Sequence, residues 1–239
     1  MSEAIIWHDL ECGSYDADLP LWLDLAERFG GPVLDVGAGT GRVALRLARA
    51  SCAVTAIEVD PALAAELEGR AARDGYRIEV ACADARSWRP VHRFSLLVVA
   101  MQTIQLFGGA AGRREFLQAA REALAPGGVA AIALADIVPE SSGEAVSFPP
   151  DIVDRSGTVY SSRAICVASE PDAVTIERER SVTAPDGTRV VSRHRQRIDR
   201  LDADELEAEA VQAGLARAGR ERVGGTDRYL GSEVVLLGA

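Results

Sequence analysis

Apolar positions in this chain recur in two rhythms, one helical and one extended, and the way they alternate predicts an α/β architecture. Leu21, Trp22, Leu25 and Phe29 fall on one stripe at helical spacing, which predicts a helix from Leu19 to Phe29. Asp18 is placed to cap it, Pro20 suits its first turn, and Gly30-Gly31 stop it. Val33 to Val36 then reads as a short apolar strand, followed by a glycine loop and a helix from Thr40 to Ala50. Ala53 to Glu58 is a second strand. Asp60 caps the next helix, with Pro61 in its first position and Gly75 beyond its end. Arg77 to Ala83 forms a third strand and Phe94 to Ala100 a fourth, so apolar that it belongs at the centre of a sheet. Arg113 to Ala125 is helical, Pro126-Gly127-Gly128 turns the chain, and Val129 to Ala135 is a fifth strand. This order predicts a doubly wound, mostly parallel sheet.

The rhythm changes after Asp136. A loop containing Pro139, Pro149 and Pro150 leads to three β-like runs, Thr158 to Ala168, Val174 to Thr183 and Thr188 to Asp199. Their separators, Glu170-Pro171-Asp172 and Ala184-Pro185-Asp186-Gly187, are hairpin signals. With Gly187 in the left-handed position of a bulged turn, Ala184 faces Thr188. Glu179 then lies opposite Arg193 and Glu177 opposite Arg195, an antiparallel meander laddered by charge. A one-residue slip would undo it. A helix from Asp202 to Ala213, ended by Gly214, and two strands near Ala216 to Val223 and Glu233 to Leu237 complete the pattern. The expected organisation over 1–239 is a single domain. It comprises an N-terminal lid and helix (1–31), a ligand-binding core (32–136), an inserted β-meander (137–200) and a C-terminal helix and hairpin (201–239).

Composition narrows the chemistry. The 239 residues carry 26 basic and 36 acidic side chains, a net charge of −10, which opposes non-specific attraction to nucleic acid or anionic lipid. All of the basic residues are arginine. Without lysine there is no Schiff-base chemistry, no pyridoxal-phosphate anchor and no P-loop or kinase lysine. Cys12, Cys52, Cys82 and Cys166 are scattered and only three histidines are present, so neither a disulfide framework nor a metal site is expected. No secretory signal and no membrane-length apolar run is seen, which predicts a cytoplasmic protein.

The glycine loop follows the first strand directly and opens a helix. Glycine there lets backbone approach a ligand, and the helix start favours an anionic group. A dinucleotide fingerprint needs a small third residue at position 42, which is Arg42 here, with the third glycine early at Gly41. Glu58, about twenty residues past the first glycine, ends the second strand, where a carboxylate can take both hydroxyls of a ribose. Read alone it is a solvated strand end, and Asp60 is the competing carboxylate, although its place before Pro61 makes it a cap first. Asp84 ends the third strand and can accept from an adenine amine; its plainer reading is a turn aspartate. Three such groups bordering one crevice reinforce one another.

Together these residues resemble the class I S-adenosylmethionine-dependent methyltransferase family, of the small-molecule type, over roughly Val33 to Ala135. Val33-Leu34-Asp35-Val36-Gly37-Ala38-Gly39-Thr40-Gly41 looks like its first motif, Ile57-Glu58-Val59-Asp60-Pro61 like its second, and Leu124-Ala125-Pro126-Gly127-Gly128 like the turn before its fifth strand. The resemblance implies a Rossmann-like sheet with an antiparallel C-terminal strand and S-adenosyl-L-methionine as cofactor. It implies Asp35, Gly37, Ala38 and Gly39 beside the methionine part, Glu58 and Val59 at the ribose, Asp84 and Ala85 at adenine, and Ala100 and Met101 at the sulfonium. Acceptor contacts are expected from Gln102 and Thr103, and from Tyr15, which looks like the tyrosine of the family's N-terminal lid. His8 reads as a surface or capping residue, His92 as a loop residue, His194 as part of one meander face, and Trp88 as packing.

Direct displacement from a sulfonium needs alignment and a dry pocket more than a strong base, so no catalytic side chain and no metal is assigned. The acceptor is expected to be a small molecule methylated on oxygen or nitrogen. Nucleic acid is disfavoured by the acidic balance and by Met101-Gln102-Thr103-Ile104 standing where amino-methylating nucleic-acid enzymes carry N/D-P-P-Y/F. The arginine-rich run from Arg189 to Arg200 is read as solvated, paired sheet. The meander is expected either over the acceptor pocket or at a homodimer contact. A non-catalytic cofactor-binding scaffold or sensor, and an NAD-dependent oxidoreductase, are the alternatives. In a thermal-shift comparison S-adenosylhomocysteine should stabilise the protein and NAD should not; the reverse result would overturn the cofactor assignment.

Overall fold

The computed structural model describes residues 2–135 and 151–239, so the predicted loop bearing Pro139, Pro149 and Pro150 lies outside the described residues. Two helices come first, α1 (Glu3–His8) and α2 (Leu19–Phe29), with a π-helical turn at Asp9–Gly13 between them. Then follow β1 (Val33–Val36), α3 (Ala44–Arg49), β2 (Val54–Glu58), α4 (Pro61–Asp74), β3 (Ile78–Cys82) and β4 (Phe94–Val99). A 3-10 turn at Thr103–Leu106 leads to α5 (Gly109–Ala123) and β5 (Leu124–Ala135). The remainder is β6 (Ile152–Val153), β7 (Val159–Ser169), β8 (Ala173–Thr183), β9 (Arg189–Asp199), α6 (Ala203–Gln212), β10 (Ala216–Val223) and β11 (Ser232–Gly238). Among the described residues no helix is long and apolar enough to cross a membrane.

The larger sheet has seven strands in the order β10-β11-β5-β4-β1-β2-β3; only β11 runs against the others, and β10, antiparallel to β11, points the same way as β1 to β5. The order reverses between β1 and β4, which opens a crevice at their carboxyl ends. Successive residues of β4 feed opposite faces. Leu97 and Val99 pack with Ile132, Phe116 and Leu117, while Leu96 and Val98 pack with Ala131, Trp22 and Leu47. A strand buried on both sides has no polar alternation, which is why its sequence reads as a continuous apolar run.

Several boundaries shift for local reasons. Asp60 caps α4 as expected, accepting from Ala62 and Leu63 N–H at 2.8 and 3.2 Å, and Gly75 closes it in the left-handed conformation. Asp18 precedes α2 but does not cap it; its carboxylate accepts instead from the Trp22 indole at 2.9 Å and from the Arg42 guanidinium at 2.5 and 2.8 Å. The helix expected from Thr40 begins only at Ala44, because Gly41 sits at φ +99 and cannot start a right-handed turn. The Pro126-Gly127-Gly128 turn is absorbed into β5 as an irregularity: Leu124 pairs with Phe94 and Val129 with Leu96, and the residues between bulge out.

The meander forms in the expected register, Glu177 opposite Arg195 and Glu179 opposite Arg193. Gly187 has φ +86 and Ala184 N–H donates to Thr188 O at 2.8 Å. The ion pairs are partly diagonal: Glu177 takes both Arg193 and Arg195, and Glu179 takes Arg189, each at 3.3 Å. These arginines are largely exposed, so the ladder contributes little energy.

Buried Gln105 fastens the meander to the large sheet. Its Nε2 donates to Asp199 O at 3.1 Å, and its Oε1 accepts from Ala135 N–H at 2.9 Å. Gln105→Leu fills a similar volume but strands two buried backbone groups, and should cost about 2 kcal/mol in urea unfolding. An unchanged midpoint would show that the meander is held elsewhere.

Candidate active site

The first turn of the crevice is fixed by what cannot fit there. Gly37 and Gly39 have φ +69 and +57. A Cβ on Gly37 would stand 2.6 Å from Thr103 Cγ2, and one on Gly39 would stand 2.2 Å from His8 Nε2. Gly37 and Ala38 N–H both donate to Ile57 O, at 2.9 and 3.0 Å, which ties the loop to the end of β2. The loop therefore presents bare backbone, with no side chain able to intervene.

Glu58 completes that loop. It is buried, and its two oxygens accept separately from Gly39 N–H at 2.8 Å and Asp60 N–H at 2.9 Å. Asp60 spends one carboxylate oxygen on the α4 cap, which leaves Glu58 as the carboxylate facing the glycine loop. Val59 beside it is exposed. Asp84, at the next strand end, is held by Arg86: the Arg86 N–H bonds it at 2.9 Å and the guanidinium reaches it at 2.6 Å. The Arg86 hydrogen bonds draw its pKa below the ordinary carboxylate range. Asp84 is thus also the turn aspartate of the plainer reading. Ala85 packs against the core.

Beyond β4, Ala100 is nearly buried and Met101 adopts φ +55, a conformation uncommon for a side chain of its size. Thr103 donates to Ala100 O at 2.8 Å while its methyl lies against Gly37. Gln102, half-buried, starts the 3-10 turn. The ends of β1, β2 and β4 therefore meet around Gly37, Gly39, Glu58 and Thr103.

The N-terminal segment is helical and wedged between the glycine loop and the meander. His8 covers Gly39 with its ring, and Thr40 donates to Asp9 at 2.7 Å. Burial works against the Asp9 charge, but hydrogen bonds from His8, Arg70 and Thr40 hold its pKa well below the usual carboxylate range. Glu11 reaches the other way, accepting from Arg180 at 2.8 Å twice and from Ser162 at 2.7 Å. Trp7 meets Tyr160 edge-on at 5.6 Å. Tyr15 is buried, packed on Tyr229 at 4.9 Å, with the Arg42 guanidinium 5.1 Å from its ring. The roles of Asp9, Glu11 and Gln105 were not legible in the sequence, because their partners lie 30 to 169 residues away and leave no local signal.

Asp35 ends β1 fully buried, and one carboxylate oxygen has no partner. Burial pushes its pKa up to about 7, against the pull of Arg42 and the Ala44 N–H. An orphan acceptor beside a bare glycine loop, with carboxylates at the following strand ends, suits a ligand carrying an ammonium group and a ribose. An open groove lined by Pro32, Val54, Tyr76 and Ile78 lies at the amino ends of the strands, away from all of these groups.

Fold and site together define a Rossmann-like α/β architecture with a crevice at the carboxyl ends of β1, β2 and β4. Residues 33–128 match the family model described as "Methyltransferase domain", which makes that stretch a methyltransferase domain. Similar folds include an S-adenosylmethionine-dependent methyltransferase from Clostridium acetobutylicum ATCC 824, 14% identical with TM-score 0.75, covering 99% of this chain and 97% of that one. The sugar N-methyltransferase KedS8 from Streptoalloteichus sp ATCC 53650 is 20% identical with TM-score 0.69, covering 98% and 92%. The glycopeptide N-methyltransferase MtfA complexed with sinefungin is 25% identical with TM-score 0.62, covering 95% and 89%. No curated protein matches this chain.

The folded Asp35 value stands above the ordinary 3.8, so between about pH 4 and about pH 7 the folded state keeps a proton that the unfolded chain releases. Stability from this site therefore falls as pH rises through that window, by up to about 1.4 kcal/mol per pH unit, and the whole cost stands above it. Asp35→Asn carries no such cost, so without cofactor its Tm should exceed wild type by a margin that widens from about pH 5 to about pH 8. A margin independent of pH would place the buried charge elsewhere.

Proposed function

We propose that the protein transfers a methyl group from S-adenosyl-L-methionine to a nitrogen or oxygen of a small cytoplasmic molecule. The observation that carries this reading is the convergence of three segments over the carboxyl end of β4. The N-terminal wedge is tied by Glu11 to the meander, the meander is tied by Gln105 to β5, and Thr103 closes on Gly37. In this reading they roof one side of the crevice and limit the access of water to it. The similar structures described as sugar and glycopeptide N-methyltransferases support an amine acceptor.

In this reading Gly37, Ala38 and Gly39 border the amino-acid end of the cofactor with bare backbone, and Asp35 steadies that end of the loop. Glu58 and Val59 take the ribose, Asp84 and Ala85 the adenine, and Ala100 and Met101 the sulfur end. Tyr15, Gln102 and Thr103 bound the acceptor. The bound cofactor supplies a methyl on a positively charged sulfur. As the acceptor lone pair forms the new bond to carbon, the carbon–sulfur pair leaves with sulfur, and the acceptor proton passes to solvent. The chain contributes alignment and dryness, effects worth several orders of magnitude in rate.

Glu58→Ala should weaken S-adenosylhomocysteine binding by roughly tenfold to a hundredfold, the loss of charge-assisted hydrogen bonds to a ribose. Unchanged affinity in a calorimetric titration would assign the ribose to another carboxylate. An acceptor screen with a methyl-labelled donor should label at least one amine or hydroxyl compound. A protein that binds S-adenosylhomocysteine but labels none across amino sugars, glycosides and aromatic amines would be a scaffold or sensor instead.

A further inference from the structure

Acidic side chains outnumber arginines in this protein by 36 to 26, yet among the described residues half-buried Arg178 forms no direct ion pair with any of them. Among the described residues only two buried side-chain polar atoms lack a partner, Asp35 Oδ2 and Arg178 Nε. Arg178 sits in the middle of β8, two residues before Arg180, so both point to the same face of the meander. That face is the one turned to the N-terminal wedge, because Arg180 meets Glu11 there. Glu177 and Glu179 lie on the opposite face, occupied by Arg189, Arg193 and Arg195. Beside Arg178 across the two neighbouring strands stand Ala164 and His194, neither of them an anion.

Glu11 is saturated by Arg180 and Ser162, and Asp9 by Thr40 and Arg70, while Asp18 serves Arg42. The Arg178 charge nevertheless acts on Glu11, Cys12 and His194, so it looks into the space between meander and wedge. A buried guanidinium nitrogen with no hydrogen-bond partner is costly, and its presence calls for an explanation. Its planar fork matches the two oxygens of a carboxylate or phosphate.

We propose that Arg178 determines acceptor specificity by binding an anionic group, a carboxylate or a phosphate, on the molecule to be methylated. This deepens the methyltransferase reading and rests on it. The anion would anchor the far end of the acceptor on β8, with the nucleophilic atom left free to reach past Thr103 toward the end of β4.

The test uses the whole chain saturated with S-adenosylhomocysteine, probed with inorganic pyrophosphate and with malonate at matched ionic strength against sodium chloride. One of the two anions should raise Tm, and which one it is identifies the phosphate or the carboxylate class. In Arg178→Gln the apparent affinity for that anion should fall about tenfold or more, with Arg178→Lys intermediate and S-adenosylhomocysteine affinity unchanged. In anion-free buffer Arg178→Gln should be no less stable than wild type, because it removes an unpaired charge; a clear fall in Tm would mean a structural role and overturn the proposal. Anion effects equal in wild type and Arg178→Gln, or absent from wild type, would also overturn it. Failure of S-adenosylhomocysteine to bind wild type would instead overturn the methyltransferase reading beneath it.

Discussion

The bond between the Glu58 carboxylate and the Gly39 N–H sets the geometry on which the site depends. A glycine loop is free to adopt many conformations, and that freedom must be removed before it can present backbone to a ligand. Here the removal is done from three sides. Ile57 O takes two loop N–H groups, Glu58 takes a third, and Thr103 and His8 fill the places where side chains would stand. Each of these residues belongs to a different strand end or to the N-terminal wedge, so the loop is shaped only when the sheet is assembled. The same carboxylate also fixes Asp60 N–H, which sets the start of α4.

Charge pairing around this centre relies on arginine alone. The guanidinium is planar and gives two parallel donors, so Arg42 can bridge buried Asp18, Arg113 can hold Glu209 and Asp199 together, and Arg180 can clamp Glu11. Such pairs contribute less to net stability than to uniqueness of arrangement, since desolvation offsets much of their attraction. They explain how segments far apart in the chain find one orientation over the crevice. Arg178, on the same surface as Arg180 and without such a pair, stands out against that pattern.

What the sequence made legible was whatever is decided locally. The meander register followed from one turn, because Gly187 needs positive φ and the pleat then places every later pair. Helix α4 followed from Asp60, Pro61 and Gly75, and β4 from its unbroken apolar run. The cofactor loop was legible because glycine spacing is itself a backbone statement. Misreadings arose where a tertiary partner outbid a local one: Asp18 left its helix cap for Arg42 and Trp22, and the Pro126-Gly127-Gly128 turn was drawn into pairing with β4. The wedge built on Asp9 and Glu11 was invisible for the same reason. Nothing within several residues of Glu11 announces that its partner is Arg180, and nothing near Arg178 announces that it has none.

The separation of 169 residues between Glu11 and Arg180 also bears on how the molecule is made. A ribosome releases Glu11 long before β8 exists, so the side of the wedge that faces the meander has no seat until then. The crevice stays unroofed through that interval. Strand β11 pairs between β5 and β10, so the large sheet cannot close until residues 232–238 have emerged. Local hairpins such as β8 with β9 can form as they appear, but their docking waits on β5 and the Gln105 clasp. The contact between Glu11 and Arg180 is therefore made only after the strands that carry the meander have formed.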